Sequence, residues 1–222
     1  SMGIKMVLSG EGADEVYGGY LYFHNAPNDV AFHEECIRRV NGLHNFDCLR
    51  ANKSTMSWGL EARVPFLDKS FLELSVPIHS SMKCRARINN NNNNKKIEKY
   101  ILRKAFDCPE EPYLPEEILW RQKEQFSDGV GYNWIDDLIE YTKEQISDQE
   151  FEELNIKYKA PEDVLDLTKE AVYYRKIFDE LFPGRAGIVP RWIPQMDWEG
   201  VSHDPSGRAQ QVHDSADSSL MT

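Results

Sequence analysis

The stretch Ile4-Lys5-Met6-Val7-Leu8-Ser9-Gly10-Glu11-Gly12-Ala13-Asp14-Glu15-Val16-Tyr17-Gly18-Gly19-Tyr20 decides the fold. A short apolar run with one lysine inside it meets a glycine turn, and a helical pattern follows from Ala13 to Tyr20. Strand, turn, helix is the simplest parse. A chain that opens on a buried strand implies earlier strands, because one strand cannot make a sheet. The turn aims backbone N–H groups from a helix N-terminus, a geometry suited to phosphate, and Gly10 and Gly12 allow close approach and unusual dihedrals. Yet the side chains here are Glu11, Asp14 and Glu15, with no lysine. Three carboxylates repel a bare triphosphate, so a cation is expected too: Mg²⁺, ammonium or an amine nucleophile. A carboxylate on such a turn can take a proton from an incoming amine. The competing reading is that acids in a first helical turn only complement the helix dipole.

Working outward, Asn25-Ala26-Pro27-Asn28-Asp29 is a break. Phe32, Cys36, Val40 and Leu43 then fall at helical spacing, in a helix that runs on past Arg50. Glu61 to Leu67 is extended, with Pro65 biasing Val64 away from helix. Asp68 caps a short helix over Phe71, Leu72 and Ser75. The asparagine run 89–94, flanked by basic residues, reads as a disordered surface loop. A helix through Ile97, Ile101, Leu102 and Ala105 follows, and Pro115-Glu116-Glu117 opens another. Trp134, Leu138, Ile139, Thr142 and Ile146 line one helical face. Ser147-Asp148-Gln149-Glu150 has the capping-box pattern, and Ala171, Tyr174, Phe178 and Leu181 form the stripe of a last helix ending at Pro183-Gly184. The expected architecture is mainly α-helical, with one or very few strands. Residues 1–184 form the folded part and 185–222 an irregular C-terminal tail.

The 222 residues are enough for one domain with a core. A formal charge of −11 argues against nucleic acid or an anionic membrane as partner. No apolar run approaches a membrane span. Cys36, Cys48, Cys84 and Cys108 lack C-x-x-C spacing and read as free thiols of a reducing compartment, so a cytoplasmic location is expected. The six histidines are scattered, and no protein-built metal cage is expected. Ser1-Met2-Gly3 reads as residues left by cloning.

Two further constellations carry chemistry. Asp47 and Arg50 share a helical face, with Asn52 and Lys53 within a turn. Arginine can grip a carboxylate as a fork while Asp47 takes an α-amino group, which would hold a zwitterionic amino acid. An ordinary surface ion pair is the alternative. In Trp120-Arg121-Gln122-Lys123-Glu124-Gln125-Phe126-Ser127-Asp128-Gly129, two cations precede a glycine turn. A lysine there can stabilise negative charge building on a leaving group. A basic patch at a helix C-terminus is the other reading.

The segment Ser9 to Tyr20 is similar to a signature of glutamine-hydrolysing asparagine synthetases and their β-lactam synthetase relatives. Leu49-Arg50-Ala51-Asn52-Lys53, Glu61-Ala62-Arg63-Val64-Pro65-Phe66-Leu67-Asp68 and the stretch around Lys123 resemble the same family, in the expected order. The resemblance implies the C-terminal portion of an α/β ATP-pyrophosphatase (adenine nucleotide α-hydrolase-like) synthetase domain. It implies ATP-dependent amidation of aspartate through β-aspartyl-AMP, with ATP and Mg²⁺ and with ammonia from glutamine hydrolysis. Carried over, Ser9 and Gly10 hold ATP with Asp14 nearby, Glu11 is catalytic, Asp47 and Arg50 bind the substrate, and Lys123 serves pyrophosphate and the transition state. Glu61 and Arg63 are expected to pair along the site wall. The Ser-Gly-Gly-x-Asp-Ser ATP loop and the N-terminal glutaminase do not occur in this sequence and are expected upstream as partners, so these residues alone are expected to be inactive. Three alternatives stay open: a β-lactam-forming synthetase, a non-catalytic helical interaction domain, and, for assembly, a homodimer.

Overall fold

A computed structural model describes residues 3–88, 94–125, 131–159, 167–188 and 190–202. The chain divides into two compact units, one from Ser1–Lys123 with Trp192–Thr222 and the other from Glu124–Arg191. Residues 192–202 belong with the first unit. The described parts are mainly helical, as expected.

In the first unit, β1 (Met6–Leu8) runs parallel to β2 (Glu61–Arg63), pairing Met6 with Glu61 and Leu8 with Arg63. The opening strand therefore finds its partner within the chain, 55 residues on from Met6 to Glu61. The crossover between them carries α1 (Ala13–Tyr17), α2 (Asp29–Gly42) and α3 (Asp47–Met56). Helix α1 stops at Gly18, whose φ of 60° is left-handed; a Cβ there would also lie 2.2 Å from the Phe32 ring. Two demands thus converge on glycine: backbone freedom and the close approach of α2. The helix thus ends three residues short of the expected Tyr20, and a 3₁₀ turn over Leu21–Asn25 follows.

Asn28 caps α2 by accepting from the Ala31 N–H at 2.9 Å. Phe32 and Cys36 enter a core with Tyr22, Phe23 and Trp198. The expected helix past Arg50 is broken. A 3₁₀ turn over Leu43–Asn45 and an irregular Phe46 (φ −124°, ψ −107°) redirect the chain, so Asp47 starts a new helix that packs beside β2. Helix α4 (Lys69–Ser75) begins as expected, with the Asp68 carboxylate accepting from Phe71 N–H, and its Ser75 accepts from Tyr17 of α1.

Between α5 (Ser80–Lys83) and α6 (Tyr100–Ala105) lies an antiparallel hairpin that periodicity did not predict. Strand β3 (Arg85–Ile88) pairs with β4 (Asn94–Ile97). Ile97 is thus a strand residue rather than a helical one. The surface-loop expectation for 89–93 lies outside the described residues. Helix α7 (Glu116–Leu119) starts after Pro115, as expected.

Buried charge helps hold the C-terminal return. Glu35 and Arg39 sit on the inner face of α2, with Arg39 Nε 2.9 Å from Glu35 Oε1 and 2.7 Å from the Tyr22 hydroxyl. The Arg39 guanidinium also donates to the Ile193 carbonyl and lies 4.1 Å from the Trp192 ring centroid. Residues 192–202 are irregular but anchored, since Trp198 packs on Tyr22 and Phe23. Residues 203–222 lie outside the described part.

The second unit is helical: α8 (Tyr132–Gln145), α9 (Asp148–Tyr158) and α10 (Lys169–Leu181). Its core is Ile146, Leu167 and Val172, with Phe151 and Leu154 against it. Ser147 caps α9 at the Glu150 N–H, while the Glu150 carboxylate pairs with Lys176. Of the expected α8 face, Thr142 and Ile146 are buried and Trp134 is exposed. The expected stripe of α10 is displaced: Val172 is buried, whereas Tyr174 and Leu181 face outward.

Candidate functional site

The site is built on the turn between β1 and α1. Ser9 N–H donates to the Arg63 carbonyl at 2.8 Å, extending the strand pairing up to the turn. Gly12, not Gly10, takes the left-handed backbone (φ 97°), and a Cβ there would meet Leu67 at 2.5 Å. Gly10 has open space around it and an ordinary φ, so steric need does not explain that glycine. Helix α1 has only five residues, so few aligned peptides support an anion at its start. Recognition must come mainly from side chains.

Those side chains converge. Asp14 meets two lysines from distant parts of the chain: Lys99 Nζ at 2.7 Å from Oδ1 and Lys123 Nζ at 3.7 Å from Oδ2. Burial pushes the Asp14 carboxyl up, but the two ammonium charges and the Lys99 hydrogen bond outweigh it and hold the carboxyl below its ordinary range. Arg50 donates to Asp47 Oδ1 at 2.7 Å, and its guanidinium reaches to 3.9 Å from Glu11 Oε1. Burial, then the Asp47 charge, raise the Glu11 carboxyl above its usual value, against the pull of Arg50. The sequence-predicted Glu11, Asp14, Asp47, Arg50 and Lys123 therefore share one neighbourhood, with Ser9 and Gly10 on its turn.

Arg50 is largely exposed, so its i,i+3 pair with Asp47 alone has little energetic weight. Tyr20 and Glu11 make the arrangement more than a surface pair. The Tyr20 hydroxyl lies 3.2 Å from Asp47 Oδ2 and also within hydrogen-bond distance of the buried Glu15 carboxyl. Burial pushes the Glu15 carboxyl up to about 7, with Asp14 adding to the rise against the Tyr20 hydrogen bond. Asn52, Lys53 and Arg121 are exposed, and Ser127 to Gly129 lie outside the described residues. Glu61 and Arg63 pair at 2.9 Å, on an exposed face of β2.

Lys99 and the role of Tyr20 were missed by sequence reasoning. Tyr20 closes the quoted signature but carries no motif chemistry of its own. Lys99 has no spacing signal at all. Its φ of 53° is the only positive value at a non-glycine residue among those described, a conformation that needs support from its surroundings. Among the described residues, no group of three or more His, Cys, Asp or Glu side chains could hold a metal ion. No described helix is long and apolar enough to cross a membrane.

Comparison with known proteins places this geometry in context. The asparagine synthase family model matches residues 1–31 and 25–199. The chain is 56% identical over 217 residues to a probable glutamine-hydrolysing asparagine synthetase of Dictyostelium discoideum, covering 96% of this chain and 37% of that protein. Asparagine synthetase [glutamine-hydrolyzing] 1 of Saccharomyces cerevisiae is 54% identical over 220 residues, with the same two shares. Asparagine synthetase 2 of Oryza sativa is 49% identical, covering 97% of this chain and 37% of its own length. The chain thus spans little more than a third of the length of the curated relatives it matches.

Proposed function

The chain belongs to the asparagine synthase family, and from this premise we propose that the gene product carrying it is a ligase that makes asparagine. Aspartate is amidated at the expense of ATP through β-aspartyl-AMP, with ammonia from glutamine. The observation that carries the proposal is the convergence around the acidic turn. Arg50 lies 3.9 Å from Glu11 and Lys123 3.7 Å from Asp14, although they come from helix α3 and from the far end of the unit.

Each group has a role that follows from its charge. Asp47 receives the α-ammonium of aspartate and Arg50 a carboxylate. Glu11, with its carboxyl raised by burial, takes the proton released when ammonia attacks the acyl group. Lys123 offsets charge on the departing pyrophosphate. Ser9 and Gly10 contact the nucleotide and Asp14 holds the lysines in place.

Mg²⁺ enters this reading with ATP, where it offsets phosphate charge. The carboxylates here do not fit a protein-built cage. Asp14 is engaged by Lys99 and Lys123, Glu11 and Asp47 by Arg50, and Glu15 by Tyr20.

The exposed strand face supports the proposed α/β ATP-pyrophosphatase context. Parallel strands are ordinarily covered on both faces, yet Ile4, Met6 and Leu8 are exposed beside a two-stranded parallel pair. We assign the ATP loop and glutaminase of the same gene product as partners, with a second copy as the alternative cover. The four free cysteines suit the cytoplasm.

The test is asparagine and AMP formation by the gene product. Glu11→Ala and Lys123→Ala should each lower the rate about 100-fold. Wild-type rates in both variants would overturn the assignment.

A further inference from the structure

Tyr20 stands between two carboxyl groups. Its hydroxyl is within hydrogen-bond distance of Glu15 on α1 and of Asp47 Oδ2 on α3. A phenol carries one proton and so donates one such bond. If both neighbours were ionised, each would be an acceptor and one would face the bare phenol oxygen. The geometry is satisfied when Glu15 carries a proton. Glu15 then donates to the Tyr20 oxygen, and Tyr20 donates onward to an ionised Asp47. The ring is held for this task, stacked on Tyr22 and edge-on to Trp192.

We propose that Tyr20 is a positioning residue that couples the buried Glu15 to Asp47, so that a proton on Glu15 directs the Tyr20 hydroxyl to donate to Asp47 and fixes that carboxylate for substrate. The proposal rests on the reading of Asp47 as the partner of the substrate's amino group.

The surroundings favour a protonated Glu15. Tyr20, Asp14 and Asp47 face it, and Cys36 on α2 and Cys48 on α3 lie close enough to sense its charge. Asp14 is itself engaged by Lys99 and Lys123, and Asp47 by Arg50. When Glu15 gives its proton to solvent, the Tyr20 proton turns to Glu15, the more buried carboxylate, and Asp47 loses its donor. Among the described residues, Asp47 then keeps the exposed Arg50 to orient it.

The experiment measures the aspartate KM of the gene product at saturating ATP and ammonia, on either side of the Glu15 value of about 7. Wild-type KM should rise across that interval. Tyr20→Phe, which keeps the ring, should raise KM about tenfold at the acidic end, with kcat less affected, as expected for loss of one hydrogen bond to a charged group. Its KM should then be flat with pH. In Glu15→Gln the amide donates permanently to Tyr20, so KM should stay low throughout. A Tyr20→Phe variant with wild-type KM, or a Glu15→Gln variant that keeps the rise, would overturn the coupling. Asp47→Asn separates the two claims. An unchanged KM there removes the substrate reading itself, while a raised KM beside an indifferent Tyr20→Phe removes only the coupling. Thermal melts of each variant identify any KM change caused by misfolding.

Discussion

Lys99 Nζ lies 2.7 Å from Asp14 Oδ1, across 85 residues of chain. The contact joins the turn after β4 to the helix after β1. It accounts for a lysine in a left-handed backbone conformation and for a mostly buried aspartate that remains ionised.

Removing that lysine should therefore cost stability in a pH-dependent way. Lys99→Met leaves Asp14 with the more distant Lys123 and the charge of Arg103, and should lower unfolding stability by about 2 kcal/mol near neutral pH. The sign follows from a folded-state carboxyl held below its unfolded value of 3.8. The contribution is present above that value and lost as pH falls through the folded one. Urea titrations should show the wild-type advantage over Lys99→Met shrinking in acid; an advantage constant with pH would refute the assignment.

Glu15 should act in the opposite sense. Its folded-state value of about 7 exceeds the ordinary 4.5, so the native state binds a proton more tightly than the unfolded chain. Stability is fully present below about 4.5 and is lost as pH rises through about 7, by up to about 3 kcal/mol in total. Glu15→Gln should remove this loss. Melting temperatures of variant and wild type should diverge on going from acid to alkaline pH, with the variant higher; parallel curves would count against it.

The return of residues 192–202 to the first unit can be tested by a contrast. Trp198 is 7% exposed and packs on Phe23 and Tyr22, whereas Leu181 is 70% exposed. Trp198→Ala should cost about 3–5 kcal/mol, and Leu181→Ala no more than about 0.5 kcal/mol. Equal effects in chemical denaturation would mean that the Trp198 anchor contributes little.

Gly18 faces both a left-handed φ and the Phe32 ring. Gly18→Ala should destabilise by about 2 kcal/mol or more, from backbone strain and overpacking together. Pairing it with Phe32→Leu should recover part of the loss. If the double variant is no more stable than additivity requires, the ring is not the obstacle.

Local features were legible because their causes lie within a few residues. The turn at Ser9-Gly10-Glu11-Gly12, the Asp68 and Ser147 caps and the Pro115 start follow from side chains bonding to nearby backbone or from fixed dihedrals. Errors arose where distant packing overrode a local pattern. Leu43 continues the apolar spacing of α2, yet the chain breaks at Phe46 so that α3 can pack beside β2. Ile97 has helical spacing to Ile101 but is taken up by a hairpin. Glu35 and Arg39, on which the sequence carried no reading, are buried in α2, where Tyr22 and the Ile193 carbonyl satisfy the guanidinium.

The sequence alone determined which groups could do chemistry: the acidic turn, the Asp47–Arg50 pair at helical spacing and the cation at Lys123. It also carried the motif resemblance that led to the family. Only the tertiary structure decided which of them meet, bringing Lys99 to Asp14 and Tyr20 between Glu15 and Asp47. The reason is one of range. Spacing along a helix or turn is set by backbone geometry over a few residues, whereas these meetings depend on the route of the whole intervening chain. Burial along that route then sets how readily each carboxyl holds its proton.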